Sequence, residues 1–256
     1  MRPSTLAGLA AALVALVVPV GCSDGGNRAA PTTTLRVITP DEASRLADAL
    51  VKNHDAGGAR VDTRVTYGTA SFRATGEIDW VHHVGRVTVT ARRSDGTAAT
   101  PFDIAFNPDV TFEQVPGLDA ALAARGRPGV GWVERPLDPS TTPIHVLLRL
   151  VETASSTVRD NPVLLLQNRV RHVRSDHVDD GGKRVAVEVY DEGRTRLWIG
   201  TDDGRVHRIE ADLASTGSVA TVTFSAFGPR TVKVPAEAEI VPVGEVSDLY
   251  QKLVGR

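Results

Sequence analysis

Cysteine, lysine, methionine and aromatic residues are all scarce in this chain. Its 256 residues hold one Cys, one Met and 5% aromatics, and only Lys52, Lys183, Lys233 and Lys252 among 29 basic residues are lysine. A single cysteine excludes an internal disulfide and the Cys-rich zinc and iron–sulfur sites. A formal charge of -2 lacks the basic excess of a protein that works by neutralising phosphates, so no nucleic-acid partner is expected. No apolar run reaches the roughly 20 residues of a membrane-spanning helix. Neither a Gly-x-Ser-x-Gly elbow nor a Gly-x-x-x-x-Gly-Lys-Ser/Thr loop occurs, and no carboxylate pair is marked out, so neither an enzyme nor a cofactor is expected. The bias toward Arg, Ala, Val and Gly is that of a high-GC genome and concerns codons. What remains is a chain with 23% charged and 41% hydrophobic residues, ordinary values for a folded domain with a real core.

The lone cysteine has an informative position. Met1-Arg2-Pro3 forms a short basic start, and Leu6–Val20 is an apolar stretch of the length of a secretory h-region. Pro19-Val20-Gly21-Cys22-Ser23-Asp24 follows. It resembles the lipobox of bacterial lipoproteins, with Gly21 and Cys22 in place and Pro19 where that family usually has Leu. On this reading residues 1–21 are a lipoprotein signal peptide, and residues 22–34 are a lipidated Cys22 and a Gly-, Pro- and Thr-rich tether. Each buried CH₂ is worth about 0.8 kcal/mol, so two acyl chains on Cys22 anchor stably where one does not. The expected location is the outer face of the cell membrane. A plain secreted protein with Cys22 as a free thiol is the alternative.

Residues 35–256 read as one α+β domain. Thr39-Pro40-Asp41-Glu42 is a cap, first helical position and capping box, and Ala43, Leu46, Ala47, Leu50 and Val51 form one stripe after it. Period-two alternation runs through Val61–Tyr67, Phe72–Ile78, His83–Arg92, Phe102–Phe106 and Val110–Phe112. The middle is helical: a short helix at Leu118–Arg125, a second after Thr142-Pro143, and a strongly apolar stretch after Asn161-Pro162. Strands return at 170–178, 184–190, 195–201, 205–213, 217–226 and 230–234, and the tail Val243–Val254 closes as a short helix. About ten or eleven strands and a few helices result.

The lipobox, Phe72-Arg73-Ala74-Thr75-Gly76-Glu77-Ile78-Asp79, Leu197-Trp198-Ile199-Gly200, Asp203-Gly204-Arg205-Val206-His207-Arg208-Ile209, and Phe224-Ser225-Ala226-Phe227-Gly228-Pro229 with Val234-Pro235 occur in that order. In this layout the chain resembles the mycobacterial LppX and LprAFG lipoproteins, themselves similar to LolA- and LolB-type lipoprotein carriers. The resemblance implies a strongly curved, half-open antiparallel barrel wrapped over helices around an apolar cavity. It also implies a monomer that carries an acylated lipid, glycolipid or lipoprotein, with an envelope transporter as a further possible partner. It brings no short ligand motif.

Candidate lining residues therefore follow from chemistry. Acyl chains gain from burial and offer no hydrogen bonds, so a carrier pocket is walled by aliphatic and aromatic side chains. Leu147, Leu148, Leu150, Val151, Leu164 and Leu165 supply one wall, and Phe102, Phe106, Phe112 and Trp132 the other; the same residues could equally fill a solid core. A packed interior with an exposed apolar patch would instead suit a docking or scaffold module for another envelope protein. His172, His177, Asp179 and Asp180 cluster in sequence, but an odd spacing on a strand sends His172 and His177 to opposite faces, against a metal site. Arg169, Arg171 and Arg174 form a basic stretch, either a solvated strand face or a surface for phosphorylated headgroups.

Overall fold

The computed structural model describes residues 35–93, 95–140, 142–213 and 218–254. Cys22, the apolar leader and the tether lie outside the described residues. The first helix, α1 (Pro40–Ala56), starts as its sequence dictates. Glu42 N–H donates to Thr39 Oγ1 at 3.3 Å, and Glu42 Oε2 accepts from Thr39 N–H at 2.8 Å. It ends at Gly57, whose φ of 88° favours glycine, and where a Cβ would sit 3.1 Å from the Pro229 backbone.

The two-residue period then builds an antiparallel meander of β2 (Gly58–Tyr67), β3 (Ala70–Asp79), β4 (Val84–Arg92), β5 (Phe102–Phe106) and β6 (Val110–Gln114). After α2 (Leu118–Ala123) come β7 (Trp132–Pro136), α3 (Pro143–Glu152) and α4 (Pro162–Gln167). Thr142 caps α3 and Asn161 caps α4, each followed by proline at the first helical position. A second meander follows: β8 (Arg171–Asp180), β9 (Lys183–Asp191), β10 (Thr195–Gly200), β11 (Val206–Leu213) and β12 (Ser218–Ser225). With β1 (Arg36–Val37), β13 (Ile240–Pro242) and a closing α5 (Ser247–Val254), all strands join one sheet in the order β1-β8-β9-β10-β11-β12-β2-β3-β4-β5-β6-β7-β13.

Among the described residues the sheet has thirteen strands, not the ten or eleven expected, and five α-helices accompany it. It is curved, with two free edges and therefore unclosed. Three differences account for the count. β1 is two residues long, too short to show a period. β7 reads Trp-Val-Glu-Arg-Pro and alternates only weakly. The expected strand at 230–234 does not form; β13 lies further on and pairs parallel with β7. All other pairings are antiparallel.

One face of the sheet carries the principal core, beneath α1, α3 and α4. A smaller cluster joins α2, α5, β7 and β13 through Leu118, Leu122, Val133, Val241 and Leu249. On β9 the alternation serves both faces: Tyr190 belongs to the principal core, while Val187 and Val189 meet Val173, Val178 and Trp198 on the opposite side. The sheet bends far enough for β8 to touch β11 and β12, and the Ala226 N–H donates to Asp180 Oδ1.

Candidate ligand-binding interior

α3 supplies the apolar centre. Its sequence Pro-Ile-His-Val-Leu-Leu-Arg-Leu-Val-Glu places Leu147, Leu148 and Val151 on one side, all fully buried. They pack with Ile78, Ile104, Phe106 and Phe224 from the sheet and with Trp80 just after β3. Phe102, Leu150 and Leu165 lie at the margin of the same cluster, half-buried. Of the ten residues expected to line a pocket, these placements bring together Phe102, Phe106, Leu147, Leu148, Leu150, Val151 and Leu165. Leu164 points to solvent with half its surface exposed. Trp132 is buried under the Arg86 guanidinium, 5.2 Å from its ring centroid, outside the principal core. Phe112 is half-buried and also outside it.

Sequence reasoning did not place Trp80, Phe224, Phe227 and Tyr190 in the interior. Trp80 is the hub: its ring centroid is 5.4 Å from that of Phe224 and 6.2 Å from that of Phe227, and its Nε1–H donates to the Val151 carbonyl at 3.2 Å. Its signal was available, since Trp80 directly follows an alternating strand and few aromatics exist to build a core.

The polar groups under the helices are few, and most are bound. Asn53 is fully buried; its Nδ2 donates to the Ala154 carbonyl at 2.9 Å and its Oδ1 accepts from Val206 N–H at 3.0 Å, tying α1 to the end of α3 and to β11. The buried Glu152 carboxylate meets His83 Nδ1 at 2.8 Å, and the neighbouring His82 meets Asp79 at 2.8 Å, both in the turn between β3 and β4. The buried Tyr190 hydroxyl has no hydrogen-bond partner among the described residues. Burial, reinforced by the Glu42 carboxylate, pushes it up to about 12. Next to it His172 stands edge-on at 5.7 Å and bonds Glu188 through Nε2 at 2.6 Å.

That histidine corrects the parity expectation. A bulge between His172 and Arg174 shifts the register, so His172 faces Tyr190 and His177 faces Ala186 across β9. Tyr190, Glu188 and Ala186 share one face, and the bulge therefore brings the two histidines to the same side. His172 is taken up by Glu188, and His177 meets Arg184 at 3.3 Å. Among the described residues no three His, Cys, Asp or Glu side chains are grouped to hold a metal.

Two open concavities lie beside each other elsewhere, on the side of β6, β7 and α2. One of about 400 Å³ is lined by Gln114, Asp119, Ala123, Trp132 and Glu239; its neighbour of about 330 Å³ includes Phe102, Val115 and Gly131. Neither is walled by α3 or α4. No described helix is long and apolar enough to cross a membrane.

No protein-family model matches the chain, and no curated protein matches it. Solved structures do show a likeness of layout. One is an uncharacterized conserved protein from Thermus thermophilus, at 12% identity over 78% of this chain and 99% of that one, with a TM-score of 0.37. A second is MucB, at 14% identity over 78% of this chain and 62% of that one, TM-score 0.30. A third is a DUF1329 family protein from Desulfovibrio piger, at 8% identity over 76% and 94%, TM-score 0.20.

Proposed function

We propose that this protein is a membrane-anchored extracytoplasmic carrier that binds a hydrophobic acylated ligand between the helices and the curved sheet. The observation that carries this reading is α4. Its sequence Pro-Val-Leu-Leu-Leu-Gln is almost wholly apolar, yet none of its residues is fully buried. It lies along α1 over the principal core, with Leu165 and Leu166 turned inward and Val163 and Leu164 outward. An apolar helix so weakly committed to the core has little to lose on moving. If it lifts, the aliphatic surfaces of Leu147, Leu148, Leu150 and Val151 become a wall for an acyl chain, which gains by the same burial. Lipidation at Cys22 holds the carrier where such ligands are found.

Native mass spectrometry of the purified protein followed by lipid extraction tests the carrier role. A co-purifying lipid, or uptake of a fluorescent fatty acid, is expected; the absence of both refutes the role. The anchor is tested separately: Cys22→Ala should move the protein from the membrane fraction to the soluble extracytoplasmic fraction, and unchanged membrane retention would contradict it.

The zero exposure of Leu147, Leu148, Val151 and Phe106 favours a second reading, a docking module whose interior stays packed and whose outer α4 surface meets an envelope protein. Lipid uptake separates the two.

A further inference from the structure

The described fold begins at Leu35, and residues 23–34 separate it from Cys22, a contour of about 47 Å at most. The chain enters along an edge of the sheet. β1 pairs only with β8, Val37 standing opposite Arg171, and the Ile38 N–H donates to the Val170 carbonyl at 3.4 Å. α4 runs to the same place: Asn168 N–H donates to the Leu164 carbonyl at 2.8 Å and Val170 N–H to the Leu165 carbonyl at 3.5 Å. Exposed apolar side chains stand on both elements that meet here, Leu35 and Val37 at β1 and Val163 and Leu164 on α4, each more than half exposed.

Two cations accompany them. Arg169 and Arg171 are exposed, and neither side chain has an ion pair or hydrogen bond with a described residue. Nearby carboxylates are already engaged: Glu42 accepts both Arg36 nitrogens at 2.6 and 2.7 Å, and Glu188 is held by His172 and Ser175. Asp191, opposite Arg171, is held by Arg196 and the Gly193 N–H; Asp41 in the first turn of α1, Asp160 just before α4 and Glu192 are the exposed carboxylates of the surroundings. Arg169 also has φ 57°, the left-handed position after a helix where glycine is favoured; the chain keeps a cation there against that preference.

We propose that this edge is a membrane-contact face. Leu35, Val37, Val163 and Leu164 enter the interface of an anionic leaflet, and Arg169 and Arg171 meet lipid phosphates. The inference rests on the anchor reading of Cys22, which brings this edge within tether reach of the bilayer. Its composition suits lipid better than protein: Val and Leu are poor protein hot spots, while aliphatic side chains beside unpaired arginines are what an anionic interface takes up. On a membrane, α4 is the helix nearest the acyl chains, so a ligand could pass beneath it without crossing water.

Cys22 being the only cysteine, and blocked when lipidated, a second cysteine gives a unique labelling site. Leu164→Cys and, as a control by the opposite edge strand β13, Glu237→Cys are labelled with bimane in the full lipidated chain. The chain is then reconstituted in phosphatidylcholine vesicles with or without phosphatidylglycerol. Doxyl-labelled lipid should quench the label at 164 about threefold more than at 237 when phosphatidylglycerol is present. Arg169→Gly with Arg171→Gln, or high salt, should bring it back toward the control. Arg169→Gly relieves the left-handed backbone, so loss of folding does not confound the result. Equal quenching at both sites in a chain that floats with the vesicles overturns the contact face and leaves the anchor standing. A chain that does not float overturns both. Quenching indifferent to lipid charge, or a label shielded from acrylamide but not reached by doxyl lipid, also overturns the proposal, the latter pointing to a second copy of the chain.

Discussion

The apolar layer beneath α1, α3 and α4 and the smaller cluster around α2, α5 and β13 are held by different means. The first is mostly apolar packing, pinned by Asn53 and by Trp80 Nε1–H on the Val151 carbonyl at the ends of α1 and α3. It leaves one of its helices, α4, half outside and without such a bond among the described residues. The second is locked by polar groups. Glu113 on β6 accepts from the Tyr250 hydroxyl of α5 at 2.6 Å and pairs with Arg135 of β7 at 3.2 Å; His145 of α3 stands 3.5 Å away. Burial alone would push the Glu113 carboxyl up, but His145, Tyr250 and the Arg135 charge outweigh it and hold it below 4.5. Burial and the adjacent Glu113 push the Tyr250 hydroxyl well above its ordinary value. Directional bonds fix one arrangement, whereas apolar contacts tolerate exchange of one apolar partner for another. A binding interior belongs in the region that can exchange partners.

The sharpest way to break this comparison is a pair of truncations. Leu148→Ala removes a fully buried side chain and should cost about 2–5 kcal/mol in denaturant unfolding, whereas Leu165→Ala, at the α4 margin, should cost about 1 kcal/mol. Equal losses would mean that α4 is as firmly committed as α3, and the lifting helix would lose its support.

Next in size is the polar lock. Tyr250→Phe leaves Glu113 and Arg135 without their shared hydroxyl and should cost about 1–3 kcal/mol. The sign with pH follows from the depressed Glu113 carboxyl. Its contribution is complete above about pH 5 and is lost as pH falls below 4.5 toward the folded value. Unfolding free energies between pH 6 and about 3 should therefore fall less steeply in Glu113→Gln than in the parent; parallel slopes would remove Glu113 from the lock.

The smallest effect sharpens the edge of the first region. Arg169→Gly should raise stability by up to about 1 kcal/mol, because glycine enters the left-handed region without a Cβ clash. A lower melting temperature would show that the Arg169 side chain supports the fold.

Much of the scaffold was legible because the signals were local. Thr39-Pro40-Glu42 and Thr142-Pro143 announce helix starts through capping geometry, and each starts a helix; Asn161-Pro162, which reads as a chain break, also caps one. Alternation located the long strands for the same reason, since a strand with one buried face must repeat every two residues. What stayed hidden depends on distant partners. β13 exists because β7 is beside it, and the bulge at His172 reverses the parity that the sequence spacing implies. The interior was half legible. α3 and the Phe106 strand were found from apolar surplus, but Trp132 lies on β7 under Arg86, outside the principal core, and Trp80 was overlooked because it sits just past its strand.

The Asn53 amide sets an order of events. Its partners lie 101 and 153 positions further along the chain, and β2, the first long strand, finds its neighbour in β12. A chain emerging from its amino end can form α1 early and pack it on β2 and α4, but the Asn53 amide is not fully bonded until residue 206 has followed. Contacts this distant in sequence slow folding. If the chain is exported as proposed, such a delay keeps its first half unlocked during passage.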